Sequence, residues 1–209
     1  MDKSIKPQVT SSVKDETLIE MRRQQIVQAG VKLFKEKGFH RTTTREIATA
    51  AGFSIGTLYE YIRAKEDVLY LVCDSIYNEV VAKVTSFSQN GDMAHLLFAI
   101  EQYYLLIDSM ADEFTIMYQE TKSLPRENKR YVLEKEIEMV AIFEQIIQSC
   151  VERQGWKLAQ QEVYLAANQL VIQGQSWAFR KWLYQQHYSI EQYIALQTKL
   201  LLQGLMHFE

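Results

Sequence analysis

The segment Gly-Phe-Ser-Ile-Gly at residues 52–56 matches the GxSxG pattern that surrounds the nucleophilic serine of many hydrolases. That chemistry requires a β-strand before the serine and a helix after it, so that the hydroxyl is exposed on a strained turn. The preceding residues, Ala-Thr-Ala-Ala at 48–51, are typical of a helix, and the four histidines form no metal-ligand pair such as HExxH. We therefore expect no catalytic residue, metal or cofactor, and a serine esterase is only a distant alternative.

Hydroxyl and basic side chains around the same motif could instead bind an anion. Thr43, Thr44, Tyr59, Tyr61 and Lys65 carry O–H or N–H donors that suit phosphate oxygens. The N-termini of the short helices expected here would attract the same anions through their dipoles. For Tyr61, a packed aromatic ring is an equally good interpretation.

Residues 44–62 have the layout of a helix-turn-helix, in which a glycine-containing turn separates two short helices. The first helix can extend only to Ala51 because Gly52 interrupts it, and Ser54 is a suitable N-cap for a second helix over about residues 55–62. Five apolar residues can be buried between the helices: Ile47, Ala48, Phe53, Leu58 and Ile62. Four residues then face outward on the second helix: Ile55, Gly56, Thr57 and Glu60. Small residues near its N-terminus would let the backbone approach a DNA major groove, although an ordinary surface αα-corner fits the spacing as well.

The flanking segments predict the helices that must hold this unit. Thr17 and Glu20 form a possible capping box for a helix that Gly38 ends, and Thr43 with Glu46 forms a second capping box. A longer helix begins at Lys65. Further helical segments follow to the end of the chain, including one long helix over residues 159–185 and a last helix capped by Ser189.

The composition favours an all-α protein. Of 209 residues only 8 are Gly and 2 are Pro, which is too few for the turns of an all-β fold. The net charge is −3, yet residues 1–67 hold 12 basic and 9 acidic residues, so the N-terminal part has a net charge of +3. Such an asymmetry permits a local anion-binding surface.

Other features of the sequence point to a cytoplasmic protein. The longest uncharged stretch, residues 163–179, is too polar for a lipid-facing helix, and we expect neither a signal peptide nor a membrane partner. Cys73 and Cys150 form no CxxC pair, so we interpret them as buried thiols in a reducing compartment.

The amino-acid sequence of the N-terminal region resembles that of the DNA-binding region in the TetR family of one-component bacterial repressors. The resemblance covers about residues 18–70 and is carried by Thr-Thr-Arg-Glu-Ile-Ala at 43–48, Ala-Gly-Phe-Ser-Ile-Gly-Thr-Leu-Tyr at 51–59, and Lys65, Glu66 and Leu69. It implies a DNA-binding domain at 17–64 and an effector-binding and dimerisation domain at 65–209, and the polar composition before them predicts a disordered tail at residues 1–16. Ile62 replaces the usual Phe, and Ile55 stands where a polar or basic residue is common, so Ile55 could meet a thymine methyl group instead of a phosphate.

The resemblance also assigns roles on a double-stranded DNA operator. Arg45 is a candidate base reader because Arg can bind guanine through two hydrogen bonds. Thr57 and Glu60 are possible base contacts. The full set of expected DNA-binding residues is Thr43, Thr44, Arg45, Ser54, Ile55, Gly56, Thr57, Tyr59, Glu60, Tyr61 and Lys65.

Members of this family bind a small effector in the C-terminal domain, which predicts the same here. The segments 118–125, 177–182 and 189–194 are similar to the subset that senses acyl-CoA thioesters, although another hydrophobic or drug-like effector is the alternative. The expected effector-binding residues are Tyr103, Met117, Tyr118, Lys122, Arg126, Trp177, Phe179, Arg180 and Lys181. Aromatic and methionine side chains at this spacing are also ordinary core residues.

The long helix predicts a homodimer because it has two apolar faces. Val163, Ala167, Leu170, Gly174 and Trp177 lie on one face, and Leu165, Ile172, Phe179 and Leu183 lie on the other. One face would pack in the protomer's own core, and the other would join residues 190–205 in a four-helix dimer interface. The helix that begins at Lys65 would connect the effector domain to the DNA-binding domain.

Overall fold

A computed structural model describes residues 6–85 and 91–206 of the chain. Ten α-helices occur in these ranges, together with a 3₁₀ turn at Thr121–Ser123, and neither range contains a β-strand. The helices are α1 (Glu16–Lys37), α2 (Thr44–Ala50), α3 (Ile55–Tyr59), α4 (Lys65–Thr85), α5 (Met93–Ser109), α6 (Ala111–Glu120), α7 (Arg126–Gln154), α8 (Gln160–Phe179), α9 (Lys181–Tyr184) and α10 (Ile190–Met206). This confirms the predicted all-α fold class.

The ends of the first two helices follow from capping chemistry. The Thr43 side chain accepts from the Glu46 N–H while the Glu46 side chain accepts from the Thr43 N–H, which is the predicted capping box. Gly38 ends α1 with φ 82°, a conformation that glycine adopts without a steric penalty. The predicted box at Thr17 is wrong, because Asp15 caps α1 by accepting from the Leu18 N–H.

Two compact units make up the described residues. The first contains the chain up to Ile76 together with Thr115–Glu134, and the second contains Tyr77–Phe114 and the chain from Lys135 onward. The domain boundary at 64–65 that the resemblance implies differs from this division, because it marks where a helix begins, whereas a compact unit is defined by contacts. Segment Thr115–Glu134 joins the first unit from a distant part of the sequence.

The core of the first unit is built where α1 meets α4. A Cβ at Gly30 of α1 would lie 2.6 Å from Val68 Cγ1, so the glycine permits the close approach of the two helices. Ile26, Ile47 and Leu58 are fully buried in the same unit. These side chains fix α2 and α3 against α1 through the hydrophobic effect.

Residues Lys6–Asp15, here called the N-terminal arm, lie along the first unit. Val9 is only 8% exposed, and the Ser12 N–H donates to the carbonyl of Glu60 at 3.0 Å. This contrasts with the expectation of a disordered tail at residues 1–16, which the polar composition suggested. Residues 1–5 of that predicted tail lie outside the described residues.

In the second unit, α5 and α10 pack against each other and against α8. A Cβ at Gly174 would meet the side chains of Ile107, Tyr103 and Tyr104 at 2.8–2.9 Å, so α5 and α8 approach closely there. The predicted long helix over 159–185 is broken, because Arg180 leaves helical geometry with φ −117° and separates α8 from α9.

The two faces of α8 differ in burial as the sequence predicts. Val163, Ala167, Leu170 and Trp177 are buried, whereas Leu165 and Ile172 are 55% and 51% exposed. None of the helices in the described part of the chain is long and apolar enough to cross a membrane.

Candidate DNA-binding surface and effector region

Helices α2 and α3 form the helix-turn-helix around Gly52. Gly52 has φ 76°, and the next N–H, of Phe53, donates to the Ala48 carbonyl at 2.8 Å. The Ser54 hydroxyl then caps α3 by accepting from the Thr57 N–H at 3.0 Å. Helix α2 therefore occupies the place where a hydrolase motif requires a strand, and the Ser54 side chain is used in capping.

The outward surface of α2 and α3 carries the expected base-contacting residues. Arg45, Gly56 and Glu60 are exposed, and Ile55 and Thr57 are half-buried. The Thr57 hydroxyl lies 3.0 Å from that of Ser54, which holds the side chain near the helix N-terminus. A Cβ at Gly56 would meet only the Ser54 Oγ at 3.6 Å, so the backbone of α3 is open on this side.

The expected phosphate-binding hydroxyls have different environments. The Thr44 and Tyr59 hydroxyls lie 3.1 Å apart on the surface, and Tyr59 is 51% exposed. Thr43 is engaged in the capping box. Tyr61 is buried, with its ring centroid 6.5 Å from that of Phe53, so its environment favours the packing role over the phosphate role.

Lys65 holds the loop between α1 and α2. Its ammonium donates to the carbonyls of Phe39, His40 and Thr42 at 2.9, 3.1 and 3.1 Å, and lies 4.5 Å from the Phe39 ring centroid. An ammonium has three N–H donors, so these carbonyls use all of them. The hydrogen bonds of Lys65 therefore stabilise the loop in this arrangement, and a phosphate role would rest on its charge alone.

The start of α2 also carries an ion pair between Glu46 and Lys37. Hydrogen bonds from Lys37 and Thr43 lower the pKa of Glu46 from 4.5 to about 2. The carboxylate therefore stays charged at neutral pH. It stabilises α2 because it lies at the positive, N-terminal end of the helix dipole.

The expected effector residues fall in both compact units. In the first unit Met117 is buried, whereas Tyr118, Lys122 and Arg126 are exposed. In the second unit Tyr103 and Trp177 are buried, Phe179 and Lys181 are half-buried, and Arg180 is exposed.

Asp108 organises the region around Trp177. Its Oδ1 accepts from the Trp177 indole N–H at 2.7 Å and lies 2.7 Å from the Lys181 ammonium. Burial raises the pKa of Asp108, but the hydrogen bonds from Lys181 and Trp177 outweigh this, and the pKa lies below its ordinary value. Of the two expected cations beside the tryptophan, Lys181 is thus already paired and Arg180 is exposed to solvent.

A cluster of tyrosines fills the interior next to Trp177. The Tyr104 hydroxyl donates to the Leu170 carbonyl at 3.0 Å, and Tyr193 donates to that of Gln173 at 2.8 Å. Burial raises the pKa of Tyr193 to about 12 and that of Tyr103 well above 10. These phenols are neutral donors at physiological pH.

A groove of about 320 Å³ lies between α5, α8 and α10. Its lining is mainly apolar and includes Ile100, Leu165, Leu200 and Leu201, with Gln169 and Gln173 among the polar residues. None of the expected effector residues lines it.

The N-terminal region matches the family of bacterial regulatory proteins of the tetR type over residues 26–70. Over 99% of its length the chain is also 30% identical to the HTH-type transcriptional regulator HbdR of Aromatoleum sp. strain CIB, of which it covers 90%. The chain belongs to the TetR family.

Solved structures of TetR-family regulators share the fold. AibR, in complex with isovaleryl coenzyme A and operator DNA, is 18% identical with a TM-score of 0.69, covering 86% of this chain and 97% of that one. FadR from Bacillus subtilis, in complex with stearoyl-CoA, is 20% identical with a TM-score of 0.66, covering 89% and 99%. The predicted helix-turn-helix architecture with a helical C-terminal domain is thereby confirmed.

Two sets of contacts in this TetR-family chain were missed from the sequence. Asp108 is an acidic residue in an apolar helix, α5, and that contrast was an available signal for a buried partner. The contacts of the N-terminal arm with Glu60 involve a backbone carbonyl, for which the sequence carries no side-chain pattern.

Proposed function

We propose that this chain is a ligand-responsive repressor that binds a pseudo-palindromic operator as a homodimer and releases it when a hydrophobic small molecule binds. The observation that carries the DNA-binding part is the surface of α2 and α3. Arg45 and the open backbone at Gly56 are exposed there beside the paired hydroxyls of Thr44 and Tyr59. A recognition helix needs a side chain that can contact a base, a stretch of backbone that can approach the groove closely, and donors for the phosphates. Because such a regulator acts on chromosomal DNA, we propose that it works in the cytoplasm.

The exposed apolar surface of α8 and α10 supports the homodimer. On α8, Leu165 and Ile172 are more than half exposed, and on α10, Leu196 and Leu200 are 46% and 63% exposed. Burying these side chains against a second copy would form an isologous four-helix interface. A dimer brings two recognition helices to two half-sites on a common face of the duplex.

An acyl-CoA is the effector we favour. AibR and FadR, which share the fold, were solved with acyl-CoA ligands. The exposed Arg180, beside the buried Trp177, suits a phosphate of the coenzyme A group.

One contact favours the alternative of an uncharged hydrophobic or drug-like effector. Lys181 is already neutralised by Asp108 at 2.7 Å, so a coenzyme A phosphate would have to compete with a carboxylate for it. A neutral effector meets no such competition.

Helix α4 is a candidate for the switch, because this one continuous helix contributes residues to both compact units. An effector that displaced α4 would change the separation of the two recognition helices in the dimer. Operator affinity would fall because both half-sites could no longer be bound together. By linkage, operator binding would weaken effector binding by the same factor.

Two measurements test the proposal: the molecular mass of the protein in solution and the DNA sequences that it selects. Sedimentation at micromolar concentration should give a dimer, and selection from random DNA should enrich a pseudo-palindrome that footprints on one face of the duplex. A stable monomer would contradict the dimer, and enrichment of no sequence would contradict operator recognition. Substituting Leu200 by Glu should produce monomers that lose operator affinity, and the exposed Lys199→Glu variant on the same helix is the matched control.

A further inference from the structure

The N-terminal arm contacts the end of the recognition helix. The Ser11 hydroxyl and the Ser12 N–H both donate to the carbonyl of Glu60, at 2.7 and 3.0 Å. Glu60 is the C-cap of α3. The buried Val9 anchors the arm two residues before these contacts.

Arg23 of α1 holds the arm and the recognition helix together. Its guanidinium donates to the Val9 carbonyl and, at 3.3 and 3.4 Å, to the carbonyl of Tyr61. Burial lowers the pKa of Arg23, with Asp67 and Glu20 opposing that shift. The Arg23 guanidinium is thus a hydrogen-bond donor both to a carbonyl of the N-terminal arm and to a carbonyl just after α3.

The recognition helix needs such support because it is short. Helix α3 has five residues, and a single turn is not stable by itself in water. Carbonyls at the C-terminal end of a helix have no partners within it. Here the Ser11 hydroxyl and the Ser12 N–H donate to the carbonyl of Glu60, the C-cap. Arg23 donates to the carbonyl of Tyr61, the next residue.

The far end of the arm is tied to α4. The Lys6 ammonium lies 2.7 Å from the Asp74 carboxylate, which also accepts from the Tyr131 hydroxyl of α7 at 3.1 Å. Asp74 is 7% exposed and the Lys6 side chain 56%, so the carboxylate is shielded from solvent while the ammonium is accessible to it. The arm therefore spans from α4 to the end of α3.

We infer that the N-terminal arm is a positioning element for the recognition helix, which raises operator affinity without touching DNA. The arm holds the carbonyl of Glu60, the C-cap of α3, and its other end is tied to Asp74 on α4. Its residues Val9 and Ser11 are positioning residues for operator recognition. The inference rests on the proposed DNA-binding function and adds a segment outside the helix-turn-helix to it.

The test uses the full chain and the DNA sequence that the wild-type protein selects from random DNA. The variant Val9→Ser/Ser11→Ala removes the anchor and both hydrogen bonds of the Ser11 hydroxyl, which donates to the Glu60 carbonyl and accepts from the Val13 N–H, with no change of charge. Thr10→Ala, which removes an exposed hydroxyl between them, is the matched control, and Ser11→Thr retains the donor. Each protein is titrated with selected and random DNA at several salt concentrations, well below its melting temperature.

The double variant should bind the selected DNA about tenfold more weakly, as expected for the loss of two hydrogen bonds at a partly exposed site and a buried contact. Its affinity for random DNA should not change, and neither should its salt slope, which is the dependence of the logarithm of DNA affinity on the logarithm of salt concentration. Amide hydrogen exchange in α3 should accelerate. Thr10→Ala and Ser11→Thr should behave as wild type.

Three results would overturn the inference. An unchanged affinity for selected DNA would show that the arm does not position α3. A salt slope reduced by about one unit would identify the arm as a phosphate contact instead. An equal loss on selected and random DNA would indicate general destabilisation. Failure of the wild-type protein to select any sequence would count against the proposed function and not against the arm.

Discussion

The hydroxyl groups of Thr44 and Tyr59 lie 3.1 Å apart and join the first residue of α2 to the last residue of α3. This contact brings the N-terminus of one helix and the C-terminus of the other to one surface. One of the two hydroxyls donates its single O–H to the other, and the accepting hydroxyl keeps its own O–H for donation to a phosphate oxygen. Arg45 follows Thr44 in the chain and is exposed, so its guanidinium is accessible to solvent next to this pair.

Replacing Arg45 by Ala should weaken operator binding by about 1–3 kcal/mol and relax specificity at one base pair. The reason is the loss of a two-hydrogen-bond contact to guanine. Binding titrations against operators changed at each position measure both effects.

Arg41→Ala is the matched control for Arg45→Ala, since it removes the same charge from an exposed residue just before α2. It should weaken all sequences alike and leave the base preference intact. Unchanged affinity of the Arg45 variant for operator and random DNA would show that Arg45 does not read a base.

Gly56→Ala should separate folding from DNA binding. A Cβ there has space in the free protein, and replacing glycine by alanine inside a helix stabilises it by about 1 kcal/mol. The added methyl group would enter the gap between the α3 backbone and the groove, so operator affinity should fall while the melting temperature rises or stays constant. Calorimetry and DNA titration of the same sample measure the two quantities, and an unchanged operator affinity would mean that the backbone does not approach DNA at Gly56.

Lys65→Met should destabilise the fold. Three carbonyls lose a charged donor, and hydrogen bonds to charged groups contribute about 1.5–3 kcal/mol each, so a loss of at least about 2 kcal/mol in the free energy of unfolding is expected. The salt slope of DNA binding should change by less than about one unit, because the donors do not contact phosphate.

Urea denaturation measures the loss, and Lys32→Met on the exposed side of α1 is the control, which should alter stability little. If Lys65→Met left stability unchanged and lowered the salt slope by a full unit, Lys65 would be a direct phosphate contact, as the sequence suggested.

Glu46 should make the stability of the DNA-binding region depend on pH in the acidic range. Its pKa is lowered from 4.5 to about 2 by hydrogen bonds from Lys37 and Thr43, so it contributes stability above pH 4.5 that is lost as the pH falls towards 2. Glu46→Gln cannot ionise, so it should show a smaller loss of stability between pH 4.5 and 2 than the wild type does. Thermal melting across this range, with Glu36→Gln on α1 as a control, measures the difference, and identical pH profiles would contradict the assignment.

The sequence predicted local features well and long-range partners poorly. Thr43, Ser54 and Gly38 were predicted because capping and left-handed turns depend on residues a few positions apart. The partners of Lys65 and Asp108 were not predictable, because backbone carbonyls and a tryptophan 69 positions away leave no pattern in a single sequence. The break at Arg180 was missed as well, since no glycine or proline marks it.

If the effector is an acyl-CoA, a long-chain acyl-CoA should release the operator, whereas the matching free acid and coenzyme A alone should not. The acyl chain requires the apolar interior and the phosphates require a cation. The double variant Arg180→Ala/Lys181→Ala should therefore lose this response, while Arg153→Ala/Lys157→Ala, which removes two exposed charges elsewhere in the second unit, should keep it.

Asp108→Asn sharpens the same prediction. Asparagine still accepts from the Trp177 N–H, but it no longer neutralises Lys181, so the freed ammonium should bind a coenzyme A phosphate more readily. The concentration of acyl-CoA that releases half of the operator should fall by up to about fivefold, since ion pairing near the surface contributes up to about 1 kcal/mol. Equal potency of the free acid, or no release by any acyl-CoA, would contradict an acyl-CoA effector. Unchanged acyl-CoA potency in Asp108→Asn would exclude Lys181 from phosphate binding and leave Arg180 as the candidate beside the tryptophan.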